Sequence, residues 1–259
     1  MSNDIVLETR GLTKHYGGVQ ALNDADFVLR KGEHVAIMGD NGAGKSTFVR
    51  QITGVEQRTR GDIIFDGKAV HFSGPLDARE AGIETVFQTL ALADDLDVPD
   101  NLFLGREKTR FNWLGPFRIL DYKAMREDTI AGLEKTAVKI PNIRNSIRNM
   151  SGGQRQCVAI ARTATFHSKL TIMDEPTAAL GVQETAQVEN IIRTLKEQGE
   201  PLILISHNMR QVFDLVDRIV VFRRGRIVAN VDRRETDHQD IVAYITGSKT
   251  GAGYEDEAL

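Results

Sequence analysis

The chain has 259 residues, of which 41% are hydrophobic and 27% charged, and 33 basic against 36 acidic side chains leave a net charge of −3. That length suits one large domain or two lobes sharing a core, the composition is that of a soluble globular chain, and so small a charge advertises no nucleic-acid or anionic-lipid surface. The single cysteine, Cys157, excludes an intrachain disulfide and fits a reducing compartment.

The start, "MSNDIVLETR", lacks the basic and apolar segments of a signal peptide. "DIVLETRGLT" and "ALNDADFVLRKGEHVAIMG" run apolar or alternate in short bursts, split by Gly17-Gly18 and Lys31-Gly32, and predict strands and hairpins. A helix is expected to begin near Gly44. "GDIIFDGKAV" is read as a further hairpin turning at Asp66-Gly67. "DYKAMREDTIAGLEKTAV" is helical, with Met125, Thr129, Leu133 and Ala137 along one side. The helix after Ser151 is expected to bury Cys157, Ile160, Ala161 and Ala164. "ETAQVENIIRTLKEQG" buries Val188, Ile191, Ile192 and Leu195 and stops at Gly199. "PLILIS" is then a buried strand, "NMRQVFDLV" a helix, and "RIVVFRRGRIVANV" a hairpin around Arg224-Gly225. All the apolar runs are far shorter than the ~20 residues of a membrane helix, so work at a membrane would need a separate anchor.

The pattern implies an α/β fold with a mostly parallel core beside an antiparallel edge. No repeat or linker interrupts it. The expected organisation is one domain over 1–247 with a helical subdomain inserted at about 89–165, then a mobile tail over 248–259.

"GDNGAGKS" (39–46) matches G-x-x-x-x-G-K-[ST] without departure. Its glycines let backbone N–H groups turn inward around phosphate oxygens, at the positive end of the following helix. The expected cradle comprises Gly39, Asn41, Gly42, Ala43, Gly44, Lys45, Ser46 and Thr47. Lys45 would reach the terminal phosphates and the Ser46 hydroxyl would hold Mg²⁺. "LTIMDE" supplies Asp174 at a strand end for the metal. Glu175, one residue on and aimed elsewhere, would take a proton from attacking water. Together these describe a nucleotide site in a P-loop NTPase core.

A second glycine turn, "SGGQRQ", follows at 151–156. Ser151 and Gln154 form a capping box. Gly152 and Gly153 lie in the first helical turn, where each costs up to ~1 kcal/mol against alanine, and point to a close approach of the backbone to something else.

"MSGGQRQ", the P-loop and "LTIMDEPTAAL", in that order, resemble the ATPase subunit of ATP-binding cassette (ABC) transporters over Val6 to Val231. The resemblance implies that Ser151, Gly152, Gly153 and Gln154 bind the γ-phosphate of an ATP held by the P-loop of a second copy. Two head-to-tail protomers would thus share two ATP sites. It further implies that Tyr16 stacks on adenine, that Gln88 senses Mg²⁺ and attacking water, and that His207 bonds the γ-phosphate. One departure is Gly181, where the family commonly carries an aspartate facing the other subunit, which puts coupling between the sites in question. "YGGVQAL" and "GVQETAQVENIIRTLK" are most similar to ATPases of bacterial monosaccharide importers of the ribose, xylose and fructose class. The implied partners are a transmembrane permease, a second copy of the chain and, indirectly, a periplasmic or extracellular sugar-binding protein, with no nucleic acid. The implied place is the cytoplasmic face of the plasma (inner) membrane. "RFNWLGPFRIL" (110–120) is read either as packing within the helical lobe or as a permease-facing surface. The alternative is a soluble ABC ATPase acting on nucleic acid or ribosomes, against which stand the missing heptad run and charged linker.

Overall fold

The computed structural model describes residues 4–87, 89–110, 118–166, 168–178 and 180–254. Strands β1 (Ile5–Tyr16) and β2 (Val19–Arg30) form a hairpin, followed by β3 (His34–Met38) and helix α1 (Lys45–Ile52). Next come β4 (Arg60–Phe65), β5 (Lys68–Val70), α2 (Pro75–Ala81) and β6 (Ile83–Val86). After them lie α3 (Val98–Phe103), the short pair β7 (Thr109–Arg110) and β8 (Ile119–Leu120), α4 (Tyr122–Lys135) and α5 (Gly152–Thr165). Then β9 (Leu170–Asp174), α6 (Val182–Glu197), β10 (Leu202–Ile205) and α7 (Met209–Leu215) alternate. β11 (Arg218–Arg223), β12 (Arg226–Asp232) and α8 (His238–Thr246) follow.

The strands make an antiparallel sheet ordered β2-β1-β4-β5 and a six-stranded sheet ordered β12-β11-β3-β10-β9-β6. Within the latter, β11, β3, β10 and β9 run parallel, with Ile37 beside Ile205 and Ile205 beside Asp174. Every residue of β3 and β10 is buried, which is why both read as unbroken apolar runs and not as alternation. This is the α/β class the sequence implies.

The chain forms two compact units. The first comprises Met1–Thr85, Ser168–Glu175 and Leu195–Leu259, and its core includes Leu12, Leu22, Ile37, Ile172, Ile203 and Val220. Phe48 of α1 meets Phe27 of β2 at 5.3 Å between ring centroids and Phe222 of β11 at 5.4 Å. Each such pair adds ~0.5–1.5 kcal/mol beyond area burial and anchors α1 to both sheets. Arg218 braces the same unit. Its guanidinium donates to both Glu33 carboxylate oxygens (2.7 and 3.1 Å), to the Val28 carbonyl (2.5 Å) and to Asn230 Oδ1 (2.7 Å). Beyond α8, Gly251 N donates to Val228 O and Tyr254 packs on the core, while 255–259 lie outside the described residues.

The second unit comprises Val86–His167 and Pro176–Thr194, and its core includes Val98, Leu102, Phe103, Met125, Ile147 and Val158. Met125, Thr129 and Leu133 are buried along α4 as their spacing implies. Ala137 is not. The helix ends at Lys135, Thr136 Oγ1 turns back to the Gly132 carbonyl, and Ala137 takes a left-handed φ of 54° that exposes it. Val138 N then donates to Leu133 O, so Val138 takes the buried place. Cys157, Ile160 and Ala161 are buried on α5, while the side chain of Ala164 lies outside the described residues, as do residues 111–117 of the aromatic stretch.

His34 opens β3 as a fully buried imidazole. Its Nε2 pairs with Glu200 O at 3.0 Å, and Nδ1 has no partner among the described residues. Burial, and next the Lys196 ammonium, lower its pKa to about 4. Unfolding restores ~6.5. Between those values the unfolded chain holds the extra proton, so stability is complete above pH ~6.5 and declines as pH falls toward 4, by about 3 kcal/mol at most. Urea titrations at pH 7 and pH 4.5 are expected to show this loss in the wild type and little of it in His34→Gln. Equal losses in both would contradict the assignment.

Candidate nucleotide site

The loop from β3 to α1 is shaped by glycine. Gly39 has φ 148° and Gly44, which caps α1, has φ 106°. A Cβ at Gly39 would overlap the Phe222 carbonyl oxygen, and one at Gly44 would lie 2.9 Å from Ala21 O. No side chain caps α1, and helix geometry leaves its first N–H groups without intrahelical acceptors. Lys45 folds back over the loop, donating to the carbonyls of Gly39 and Asp40, both at 2.8 Å.

Across the parallel strands, Asp174 ends β9 beside Ile205 of β10. Burial first, then the neighbouring Glu175 carboxylate, raise its pKa, against the pull of Lys45 and Arg50. Burial lowers the Lys45 ammonium in turn, although Glu175, Asp174 and Asp40 all oppose the shift. Each ion is therefore incompletely neutralised. An anion beside Lys45 and a cation beside Asp174 would remove both costs, which is the charge pattern of a phosphate chain with a divalent metal. No group of three or more His, Cys, Asp or Glu among the described residues could hold a metal ion, so Mg²⁺ here would need oxygens from nucleotide and water as well.

Glu175 has φ 50°, a left-handed conformation that costs a non-glycine residue ~1–2 kcal/mol. It is held there by Glu175 N donating to Ile205 O at 2.9 Å. Its carboxylate Oε2 stands 2.8 Å from His207 Nδ1. His207 lies in the turn from β10 to α7, which Asn208 closes by accepting from Gln211 N and donating its own N–H to Ser206 Oγ. With Nδ1–H directed at Glu175, His207 Nε2 is the ring nitrogen left to face a ligand, and the side chain is 78% exposed. Two residues assigned separately from sequence thus form one hydrogen-bonded pair.

Tyr16 ends β1 and is exposed, its hydroxyl bonded to Glu56 and the Lys14 ammonium 5.1 Å from its ring centre. Glu56 is itself paired with Arg50 of α1 at 3.1 Å. Sequence reasoning missed both: Lys14 stands two residues before Tyr16 on β1, and Glu56 comes from the connection between α1 and β4. Gln88 lies outside the described residues. In the second unit, Ser151 and Gln154 make the full capping box: Ser151 N donates to Gln154 Oε1 at 3.0 Å, and Gln154 N to Ser151 Oγ at 3.2 Å. Gly152 is open to solvent, whereas Gly153 faces Glu184 of α6. The close approach at Gly153 is therefore met within the chain.

Gly39→Ala is expected to weaken ATP binding by at least about tenfold, because strain of this kind costs ~1–3 kcal/mol and falls on the cradle itself. Gly42→Ala, with nothing within 4 Å of an added Cβ, is expected to cost less despite its φ of 78°. Fluorescent-nucleotide titration of both variants checks the order, and equal affinities would contradict it.

A family model described as "ABC transporter" matches residues 22–178. A fructose import ATP-binding protein of Rhizobium meliloti is 46% identical over 251 residues, covering 96% of each chain. A xylose/arabinose import ATP-binding protein of Sulfolobus acidocaldarius is 42% identical, over 95% of this chain and 96% of its own. A ribose import ATP-binding protein of Agrobacterium fabrum is 37% identical over 98% of this chain, which spans only 49% of that longer protein. Among solved structures, the ADP conformation of an ATP-binding cassette of an ABC transporter superposes with a TM-score of 0.79 at 25% identity, over 95% of this chain and 96% of that one. Motifs, sheet order and relatives agree: the chain belongs to the ABC transporter family, as an ATP-binding cassette that hydrolyses ATP.

Proposed function

We propose that this protein powers the import of a monosaccharide through a separate membrane permease, by hydrolysing ATP at two sites shared between head-to-tail copies. The observation that carries the substrate class is the full-length 46% match to the fructose import ATP-binding protein, supported by the xylose/arabinose one. No described helix is long and apolar enough to cross a membrane, and in this reading the permease supplies the translocation path. The proposed place is the cytoplasmic face of the inner membrane. The partners are permease subunits, a second copy and, indirectly, an external sugar-binding protein, with no role for nucleic acid. Residues 1–247 act as one ABC ATPase domain whose helical subdomain, at about 89–165, is inserted into the core.

In this reading, residues 39–47 hold the phosphate tail, with Lys45 exchanging its two carbonyl partners for phosphate oxygens. Ser46, Gln88 and Asp174 would hold Mg²⁺, which when bound neutralises phosphate charge. Tyr16 offers its ring to adenine. The Ser151–Gln154 turn of a partner copy grips the terminal phosphate through backbone N–H groups, as a helix start can. Glu175 takes a proton from water, and His207, oriented by the same carboxylate, donates toward the phosphoryl oxygens. Catalysis is positioning plus electrostatics, and closing the dimer is what assembles it.

Glu175→Gln keeps the shape and removes the base, so kcat is expected to fall about 10²–10⁴-fold with ATP still bound. Near-normal turnover would remove Glu175 from the role. For the cargo, uptake of labelled fructose, xylose and ribose by cells lacking the gene is the direct test. Loss of one of these, restored by the wild type and not by Glu175→Gln, is expected. Unchanged uptake of all three would contradict monosaccharide import.

A further inference from the structure

Two glycines of the second unit give way to one side chain. Gly153 lies in the first turn of α5, and a Cβ there would overlap Glu184 Cγ and stand 2.7 Å from Glu184 Cβ. Gly181 directly precedes α6, and a Cβ on it would stand 2.5 Å from Glu184 Oε2. Neither glycine takes a left-handed φ, so the requirement at both is room and not conformation. Gly152, next to the first of them, has open space and sets the contrast.

Glu184 belongs to the first turn of α6 and is half-buried. Its aliphatic stem lies against the backbone at the start of α5, and its carboxylate turns toward residue 181, which is exposed. An aspartate carries its carboxylate oxygens two bonds beyond Cβ. At 2.5 Å from the Cβ position of residue 181, Glu184 Oε2 stands about as far from that position as an aspartate's own carboxylate oxygen would. A carboxylate beside the first turn of α5 is also placed favourably toward the positive end of that helix.

We propose that Glu184 is a positioning residue for ATP hydrolysis: it seats the Ser151–Gln154 turn against α6 and presents, from α6, the carboxylate of the surface beside Gly181. The idea rests on the reading that this turn grips ATP held by a partner copy. Reacting groups lose rate steeply when displaced by fractions of an ångström, so a residue that locks the turn acts on kcat without touching substrate.

The test is ATP turnover and ATP affinity for Glu184→Gln, Gly181→Asp and the double variant Gly181→Asp/Glu184→Gln, with Ser151→Arg alongside. Glu184→Gln keeps the stem over Gly153 and removes only the charge, and is expected to lower kcat about tenfold with ATP affinity unchanged. Gly181→Asp crowds Glu184 with a second carboxylate and is expected to fall at least as far. The double variant has one carboxylate again and is expected within about threefold of wild type, a recovery that independent effects would not give. Retained affinity in the single variants separates mispositioning from misfolding. Full turnover in Glu184→Gln, or a double variant no better than Gly181→Asp, overturns the proposal. Normal turnover in Ser151→Arg would instead overturn the underlying reading of the turn.

Discussion

The ammonium of Lys45 is the charge around which the site is organised. It is half-buried, bonded to two carbonyls of its own loop, and lowered by desolvation despite three carboxylates in its neighbourhood. Such a group is stable only because the loop folds around it, and the loop can do so only because Gly39 leaves space for the Phe222 carbonyl. The parallel order β11-β3-β10-β9 then brings the end of β9 close enough for Asp174 and Glu175 to be felt at Lys45. Ligand charge completes an electrostatic arrangement that the fold leaves unfinished. That is the physical reason the proposed phosphate site can work with few side-chain donors.

Local patterns were legible in the sequence and distant pairings were not. The P-loop, the Asp66-Gly67 turn and the Ser151–Gln154 capping box depend on residues within a few positions of one another, and the structure shows the turn and the box as read. The helix after Asn208 was read, whereas α3, capped by Asp97, is too short to give periodicity. Nothing in the sequence tells that Arg218 and Glu33 form a brace, or that Glu175 and His207 touch. Those contacts come from strand order. Ala137 shows a different limit: its spacing continued the apolar stripe of α4, yet a side-chain hydroxyl at Thr136 and a left-handed residue ended the helix first. Gly153 was read as making way for something outside its helix, and the neighbour the structure shows is Glu184.

Within these 259 residues there is one P-loop and one Ser-Gly-Gly-Gln turn. The ribose relative is about twice as long as the stretch matched, whereas the fructose and xylose/arabinose relatives match nearly end to end. Pairing of two copies, as proposed, would give such a cassette two complete sites. The strained φ of Glu175 fits the same account. Its backbone conformation is costly and is maintained by contacts to the β10 end, where His207 sits. Strain held next to a potential base keeps the carboxylate aimed at one place and not at solvent in general.

The sedimentation mass of Glu175→Gln with and without Mg-ATP tests the central claim, that each phosphate grip completes the site of a second copy. The account predicts that ATP moves the protein from the mass of one chain to that of two, and that adding Ser151→Arg abolishes the shift. A mass that ATP leaves unchanged, or a dimer indifferent to Ser151→Arg, would contradict it.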